Sequence, residues 1–535
     1  MRTDIVRLYR VVHSWVGIVS GLILFIAFYA GALTMFKEPL AAWVTPPRAA
    51  ENLIPLDRGG ELVSRLLALR PEAAKDFSLI LESGHEDAGA LRLEWRLGRE
   101  DTAVWTAAMS HDGQHLDIRQ EEPSAVAQLV DDVHRTAILP GDRETGTFIT
   151  GIASALYVVA LVSGVIILIP SLVKDFFALR LANSAKRLWL DVHNLLGIIS
   201  VPFHIVIALS AVVFGLHDYF YDSLDAVVYG GRMQTVIAVA DPPPRPASKG
   251  PYLSPAALLA KTAAVEPGLT PTSLQYQRLG TPSAMVRVWG DDPRYLVRRH
   301  GFLVLDPATG NVVSTEYLPG HQGRWGATVS AFFALHFGSF GGELVRWSYF
   351  LMGLAGAFLF YSGNLLWVEA RRRTERRSSG PVTQTRAVRL MAAATVGASL
   401  GAVAGLSATI AAGRWLSALD SINTGHLVIY YAVFLGACAW AFWRGAGRAA
   451  YELLWLAAGA TAAIPATSLL GFITPGLWVS GAGLGVDAVA LVGAGVFALM
   501  ARAAARRAEN GPADSVWSAN RGHGMVTAAR PQAAE

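Results

Sequence analysis

Two histidines, His13 and His193, stand inside apolar runs where a helix crossing a bilayer would ordinarily carry no ionisable side chain. Such groups are costly in hydrocarbon, and their presence marks function. A third, His204, follows His193 within the run 188–215. At 3.6 residues per turn it returns to within about 20° of the same helix face, roughly 16 Å further along. Two more, His134 and His336, each lie in an amphipathic stretch, 126–136 and 328–337, ahead of a further apolar run. Pairs of histidines at two depths of a helical bundle are the arrangement that holds b-type haem, with imidazole as axial ligand and no covalent attachment. Gly17, Gly21, Gly197 and Ser200 lie close to them in sequence and would let a flat macrocycle approach the helix backbone. Zinc is a weaker reading, because no Cys, Asp or Glu joins these histidines at ligand spacing. A proton relay could use the same side chains.

Other chemistry is excluded or unsupported. The single cysteine, Cys438, falls in an apolar run, which removes disulfides, cysteine-held iron–sulfur clusters and a covalent CxxCH haem site. There is no GxGxxG between a strand and a helix and no Walker-type loop, so nicotinamide, flavin-fold and ATP sites are not indicated. Electrons would have to come from a membrane quinol or a partner protein. His85, His111, His115, His217, His300, His321 and His523 lie in polar segments where a surface role is the default, with His217 and His321 flanking the core spans.

The elements that must position the five histidines are membrane helices. Mean hydropathy is +0.37, with 53% hydrophobic and 16% charged residues, a composition that fits a polytopic membrane protein. Eight runs are long enough to cross about 30 Å of hydrocarbon. They lie near 12–36, 148–172, 188–215, 347–368, 390–412, 426–442, 453–472 and 483–501. Arginine and lysine mark every second connection, from Arg2, Arg7 and Arg10 through Lys174, Arg180, Lys186 and Arg187, then Arg371 to Arg377, Arg444 and Arg448, to Arg502, Arg506 and Arg507. Short cytoplasmic loops retain such residues, so both termini are expected in the cytoplasm. The net charge of +4 is thereby a topology signal and gives no reason to expect nucleic acid. The first run is too long for a signal-peptide core and lacks a small-residue cleavage site, so it reads as a retained helix.

The expected fold is an all-α polytopic bundle with two small α+β modules outside the membrane. The divisions fall at 1–37 for the first span, 38–147 for the first outer module, and 148–187 for the second span and its loop. They continue at 188–215 for the third span, 216–346 for the second module, and 347–385 for the fourth span and a basic loop. A C-terminal region of four spans occupies 386–507, and 508–535 reads as a disordered tail. Both modules contain alternating stretches, such as 90–96 and 295–305, and the second has a Pro-rich entry at 241–246.

Self-comparison adds a repeat. His13-Ser-Trp-Val-Gly-Ile-Val-Ser matches His193-Asn-Leu-Leu-Gly-Ile-Ile-Ser. The stretch from Trp105 to Gly113 parallels that from Phe302 to Gly310, a strand running into a tight turn, and His134 parallels His336. The unit of helix, outer module, His-bearing segment and helix therefore occurs twice. It predicts four core helices about a pseudo-two-fold along the membrane normal, with equivalent histidines facing one another. The last four spans are rich in Ala and Gly, carry His426 at a span end, and show no motif with identifiable chemistry.

At these residues the chain is similar to the PepSY-associated transmembrane family in its longer form. The resemblance rests on VHSWVGIVSGLILFIAFYAGALTMFKEPLAAWVTPP, FITGIASALYVVALVSGVI with KDFFALR, WLDVHNLLGIISVPFHIVIALSAVVFG and LHFGSFGGELVRW, which together span 10–368. It implies that the two outer segments are PepSY modules and that the protein resides in the bacterial inner membrane. It further implies two non-covalent haem b groups and reduction of a ferric siderophore or similar ferric chelate on the periplasmic side. Haem ligation would fall on His13, His134, His193, His336 and, within PFHIVIALS, His204. One departure is visible. Long-form relatives often carry a histidine shortly after SGVI, where this chain reads Ile167-Leu168-Ile169, which puts the inner coordination or the haem count in question. A non-enzymatic regulator whose PepSY modules bind a protease or peptide, and a transporter of the chelate, are the rival expectations.

Overall fold

A computed structural model of the chain describes residues 3–46, 54–82, 89–98, 103–110, 113–137, 142–171, 185–233, 251–296, 300–375, 384–417, 419, 421–479, 483–512 and 515–519. In chain order its helices are α1 (Thr3–Thr34), α2 (Lys37–Val44), α3 (Gly59–Leu69), α4 (Val126–Thr136), α5 (Arg143–Leu168), α6 (Ala185–Ile199) and α7 (Val201–Leu224). They continue with α8 (Pro255–Val265), α9 (Arg324–Phe337), α10 (Gly342–Glu375), α11 (Arg386–Ala412), α12 (Ile422–Arg444), α13 (Ala446–Leu470) and α14 (Leu484–Asn510). The Pro-rich entry at 241–246, Lys174, Arg180, His85, His111 and His523, and most of the expected tail, lie outside the described residues.

The chain separates into two compact units. The first, Met1–Pro46, Ser124–Gly215 and Phe350–Glu535, is helical. Among the described residues eight helices are long and apolar enough to cross a membrane, and the protein is a multi-pass membrane protein. Exposed aliphatic side chains such as Val162, Leu209, Leu435, Leu491 and Leu499 suit a hydrocarbon solvent, in which helices satisfy their own backbone hydrogen bonds. Arginines stack on tryptophans at helix ends, with Arg371 over Trp367 at 3.3 Å, Arg444 over Trp440 at 5.7 Å and Arg502 over Trp455 at 5.9 Å. Such pairs are typical of interfacial anchors.

The third apolar run differs from expectation in one respect. It is interrupted by a turn at Ser200, so His193 lies on α6 and His204 on α7. Pro202 has no N–H to donate into the preceding turn. The bonds from Ser200 N to Leu196 O (3.0 Å) and from His204 N to Ser200 O (2.9 Å) nevertheless carry the helical path across the break.

The C-terminal helices pack through small residues. At Gly397, Gly401 and Gly405 of α11, the place of a Cβ is 2.9–3.2 Å from atoms of Cys438, Phe434 and Tyr430 on α12. A glycine every fourth residue is the device that brings two membrane helices into close contact. These helices are tied to α2 by Arg414. Its Nε donates to Trp43 O (2.8 Å) and its Nη1 to Ser468 Oγ and Trp478 O (3.0 Å each), while the guanidinium lies 3.9 Å from the Trp43 ring centre. Trp43 Nε1 in turn donates to Asp487 of α14 (2.9 Å).

The second unit, Pro47–Pro123 and Leu216–Tyr349, holds one antiparallel sheet. Its strands are β1 (Ile54–Pro55), β2 (Asp76–Glu82), β3 (Gly89–Trp95), β4 (Val104–Met109), β5 (Leu116–Glu121), β6 (Thr270–Gln277), β7 (Met285–Asp291), β8 (Gly301–Leu305) and β9 (Val312–Ser314). The order is β5-β4-β3-β2-β6-β7-β8-β9, with β1 on β3. Each half is a helix followed by four strands in meander order, α3 with β2–β5 and α8 with β6–β9. The two segments expected to form separate modules thus share a sheet, joined where β2 pairs with β6 and Phe77 stacks on Tyr276 at 4.9 Å. Leu62 and Leu66 of α3 and Leu258 of α8 share its buried core with Leu79, Leu93, Leu274, Val286 and Leu303. The paired turns inferred from the sequence recur, with Gly113 at φ +68° and Gly310 at φ +70°, a conformation that favours glycine. The paired helices recur as well, α4 with His134 and α9 with His336.

Candidate functional site

His13 and His193 come together in the helical unit, with ring centres 6.4 Å apart and ring planes at 83°. His13 Nδ1–H donates to Ala160 O on α5 (2.8 Å). His193 Nδ1 lies 2.9 Å from Ser362 Oγ on α10, and that hydroxyl donates to Leu359 O (3.0 Å). The serine proton is thereby spent, so the imidazole is the donor. Both rings are held through Nδ1, which leaves Nε2 as the nitrogen available to a ligand. Metal–imidazole bonds of about 2.0 Å on each side of one metal would set two coaxial rings about 6 Å apart. The residues present therefore fit a single haem iron between His13 and His193. At Gly17 and Gly197, one turn from each histidine, a Cβ would meet nothing within 4 Å, so the backbone there has open space beside it.

The contacts of the two histidines obey the repeat. His13 meets Ala160, Ser163 (3.4 Å) and the open face of Gly164, while His193 meets Ser362 and the open face of Gly363. A Ser-Gly pair on the following core helix receives each ring: Ser163-Gly164 on α5, Ser362-Gly363 on α10. Sequence reasoning missed this pair as a functional element. The signal was available as the same dipeptide in the second and fourth spans.

His204 stands at a second level. Its Nδ1 is 2.5 Å from Tyr157 OH on α5 and its Cε1 faces Gly356 on α10. Gly356 precedes Gly363 on α10 by seven residues, roughly 10 Å of helix. Phe28, Phe203 and Phe360 enclose the ring and its tyrosine partner. His204 Nε2 is buried and makes no hydrogen bond among the described residues. His134 on α4 reaches the same stretch of α1, donating from Nδ1 to Ala27 O (2.7 Å) and lying over Gly31. His134 and His204 therefore meet α1 at neighbouring positions, His134 at Ala27 O and Gly31 and His204 at the Phe28 ring. His336 belongs to the sheet-bearing unit, where it meets Phe337 edge-on at 5.4 Å.

The remaining described histidines fall outside this set. His217 pairs with Asp218 (3.1 Å) and His300 with Asp291 (2.7 Å) at the surface, and His115 lies in the β4–β5 turn. His321 Nε2 meets Glu266 (3.0 Å) in a cluster that Arg294 completes by bonding both Glu266 and Asp292. The Arg294 guanidinium holds the Glu266 and Asp292 carboxyls below the usual carboxylate range. His426 of α12 is buried, and neither of its ring nitrogens has a hydrogen-bond partner among the described residues. No group of three or more His, Cys, Asp or Glu able to hold a bare metal ion occurs among the described residues.

No curated protein matches the chain. The family model described as the PepSY-associated TM region matches residues 10–370, well over half of the chain and all of the stretch that carries His13, His134, His193, His204 and His336; the protein belongs to that family.

Proposed function

We propose that the protein is an inner-membrane haem b oxidoreductase that reduces a periplasmic ferric chelate, with a ferric siderophore as the favoured substrate. The observation that carries this reading is the His13–His193 pair, two imidazoles held through Nδ1 at a separation suited to one iron. Haem b, when bound, supplies a one-electron Fe(III)/Fe(II) couple without covalent attachment. His13 and His193 would hold the inner group. His204 would hold the outer one, with His134 of the same unit as its candidate partner. Ser362, Ala160 O and Tyr157 fix ring orientation, and the phenylalanines around His204 keep water from that ring. A quinol releases two electrons and two protons, which balances the reduction of two ferric chelates. The basic connections favour a topology with both termini in the cytoplasm, and the two halves of the sheet would be PepSY modules that receive the chelate.

The test is a reduced-minus-oxidised spectrum of the purified protein, with haem quantified per chain. The expected result is a b-type band at about two haems per chain, of which His13→Ala and His193→Ala each remove one. Absence of a haem band after expression with ample haem would sink the reading and leave a membrane-anchored regulator. Uptake of chelate into sealed vesicles without an electron donor would favour a transporter.

A further inference from the structure

The structure assigns to Tyr157 the role of positioning residue for His204, holding that imidazole through Nδ1 so that Nε2 is the nitrogen that meets a ligand; this rests on the haem reading above. Three observations carry it. First, the Tyr157 hydroxyl is 2.5 Å from His204 Nδ1 while both side chains are buried, so the contact is made without competition from water. Second, His204 Nε2 is buried and has no hydrogen-bond partner among the described residues. A bare polar atom in such a place costs about 1–3 kcal/mol and calls for a ligand that the protein itself does not supply. Third, His13 and His134 donate from Nδ1 to carbonyl oxygens, and His193 donates from Nδ1 to a hydroxyl whose own proton is spent. His204 bonds through the same nitrogen, so a ligand meets Nε2, and a neutral imidazole ligating through Nε2 carries its hydrogen on Nδ1, where Tyr157 then accepts.

The site breaks the repeat. In the alignment that matches Ser163-Gly164 with Ser362-Gly363, Tyr157 corresponds to Gly356. One repeat therefore provides the hydroxyl that holds the ring, and the other provides the missing side chain that makes room for it. Leu24 stands in the first repeat where His204 stands in the second. A partner that accepts from Nδ1–H fixes the tautomer and raises the basicity of a ligating imidazole. More basic axial ligation favours ferric iron, so Tyr157 lowers the potential of the group that His204 holds.

Tyr157→Phe in the full-length haem-loaded protein tests this, since it removes one oxygen and keeps the ring. Haem content under excess haem should stay at the wild-type level while one midpoint potential moves upward and the other does not. His204→Ala should lose that haem altogether. In the haem-free protein, histidine-labelled nitrogen-15 solid-state NMR should show a His204 Nδ1 whose chemical shift carries the Tyr157 hydrogen bond and moves in Tyr157→Phe. Unshifted potentials with haem bound, or a His204 Nδ1 signal that Tyr157→Phe leaves unchanged in the haem-free protein, would overturn the assignment. A wild-type protein that binds no haem but shows the Tyr157-dependent Nδ1 signal would overturn the haem reading and leave the positioning role standing.

Discussion

Substitution of Gly356 by alanine tests the packing that holds His204. A Cβ at this position would lie 2.3 Å from Phe28 Cδ1, 2.6 Å from Phe28 Cε1 and 3.1 Å from His204 Cε1. Carbon atoms prefer about 3.5–4.0 Å, so the overlap with Phe28 exceeds 1 Å. The Phe28 ring has no room to retreat, with Phe360 at 5.2 Å, Tyr157 and His204 at 5.7 Å and Phe203 at 6.5 Å between ring centres. Overpacking of this kind costs about 1–3 kcal/mol, and the better helix propensity of alanine returns up to about 1 kcal/mol. The net expectation is a loss of about 1–2 kcal/mol. Gly459 on α13 is the control, because a Cβ there meets nothing within 4 Å and its alanine variant should gain up to about 1 kcal/mol. Thermal unfolding in detergent, followed by tryptophan fluorescence, reads the difference. If Gly356→Ala unfolds at or above the temperature of Gly459→Ala, the contact between α1, α7 and α10 is not as described and the argument for His204 loses its frame.

Arg414→Ala should destabilise the helical unit by about 3–5 kcal/mol, the range for breaking a buried charged network, since it strips the Trp43 and Trp478 carbonyls of their donor; detergent unfolding with Trp43 and Trp478 as reporters checks it. Phe77→Ala should cost about 3–5 kcal/mol by removing a buried ring from the β2–β6 seam, seen as increased protease sensitivity within 47–123 and 216–349. Glu266 and Asp292 have carboxyl pKa values lowered by Arg294. Their contribution to stability is complete above the ordinary carboxylate range and is lost as pH falls through the lowered folded-state values. Glu266→Gln should therefore flatten the fall in unfolding temperature on acidification, and an unchanged acid slope would contradict the cluster.

The eight spans were legible because a run of about twenty apolar residues has few other uses in a folded protein. The extra depth of the repeat was legible too, because His13 and His193 sit in matching octets and the turns at Gly113 and Gly310 follow matching strands. Both signals are local, carried by residues close together in the chain. Which helices meet was not legible, and the reason is the solvent. In lipid a helix can be apolar on every face, so no polar stripe marks the side that packs.

The tertiary structure alone decided that Ser163-Gly164 and Ser362-Gly363 receive the two inner rings, that Tyr157 holds His204, and that Arg414 ties the C-terminal helices to Trp43. It alone joined the two outer segments into one sheet, because strand pairing between β2 and β6 is set by edge-to-edge geometry across some 190 residues of chain and leaves no mark in either strand's own alternation. The sequence by itself marked which histidines could do chemistry; the tertiary structure determined that His13, His134 and His193 each spend Nδ1 on the protein.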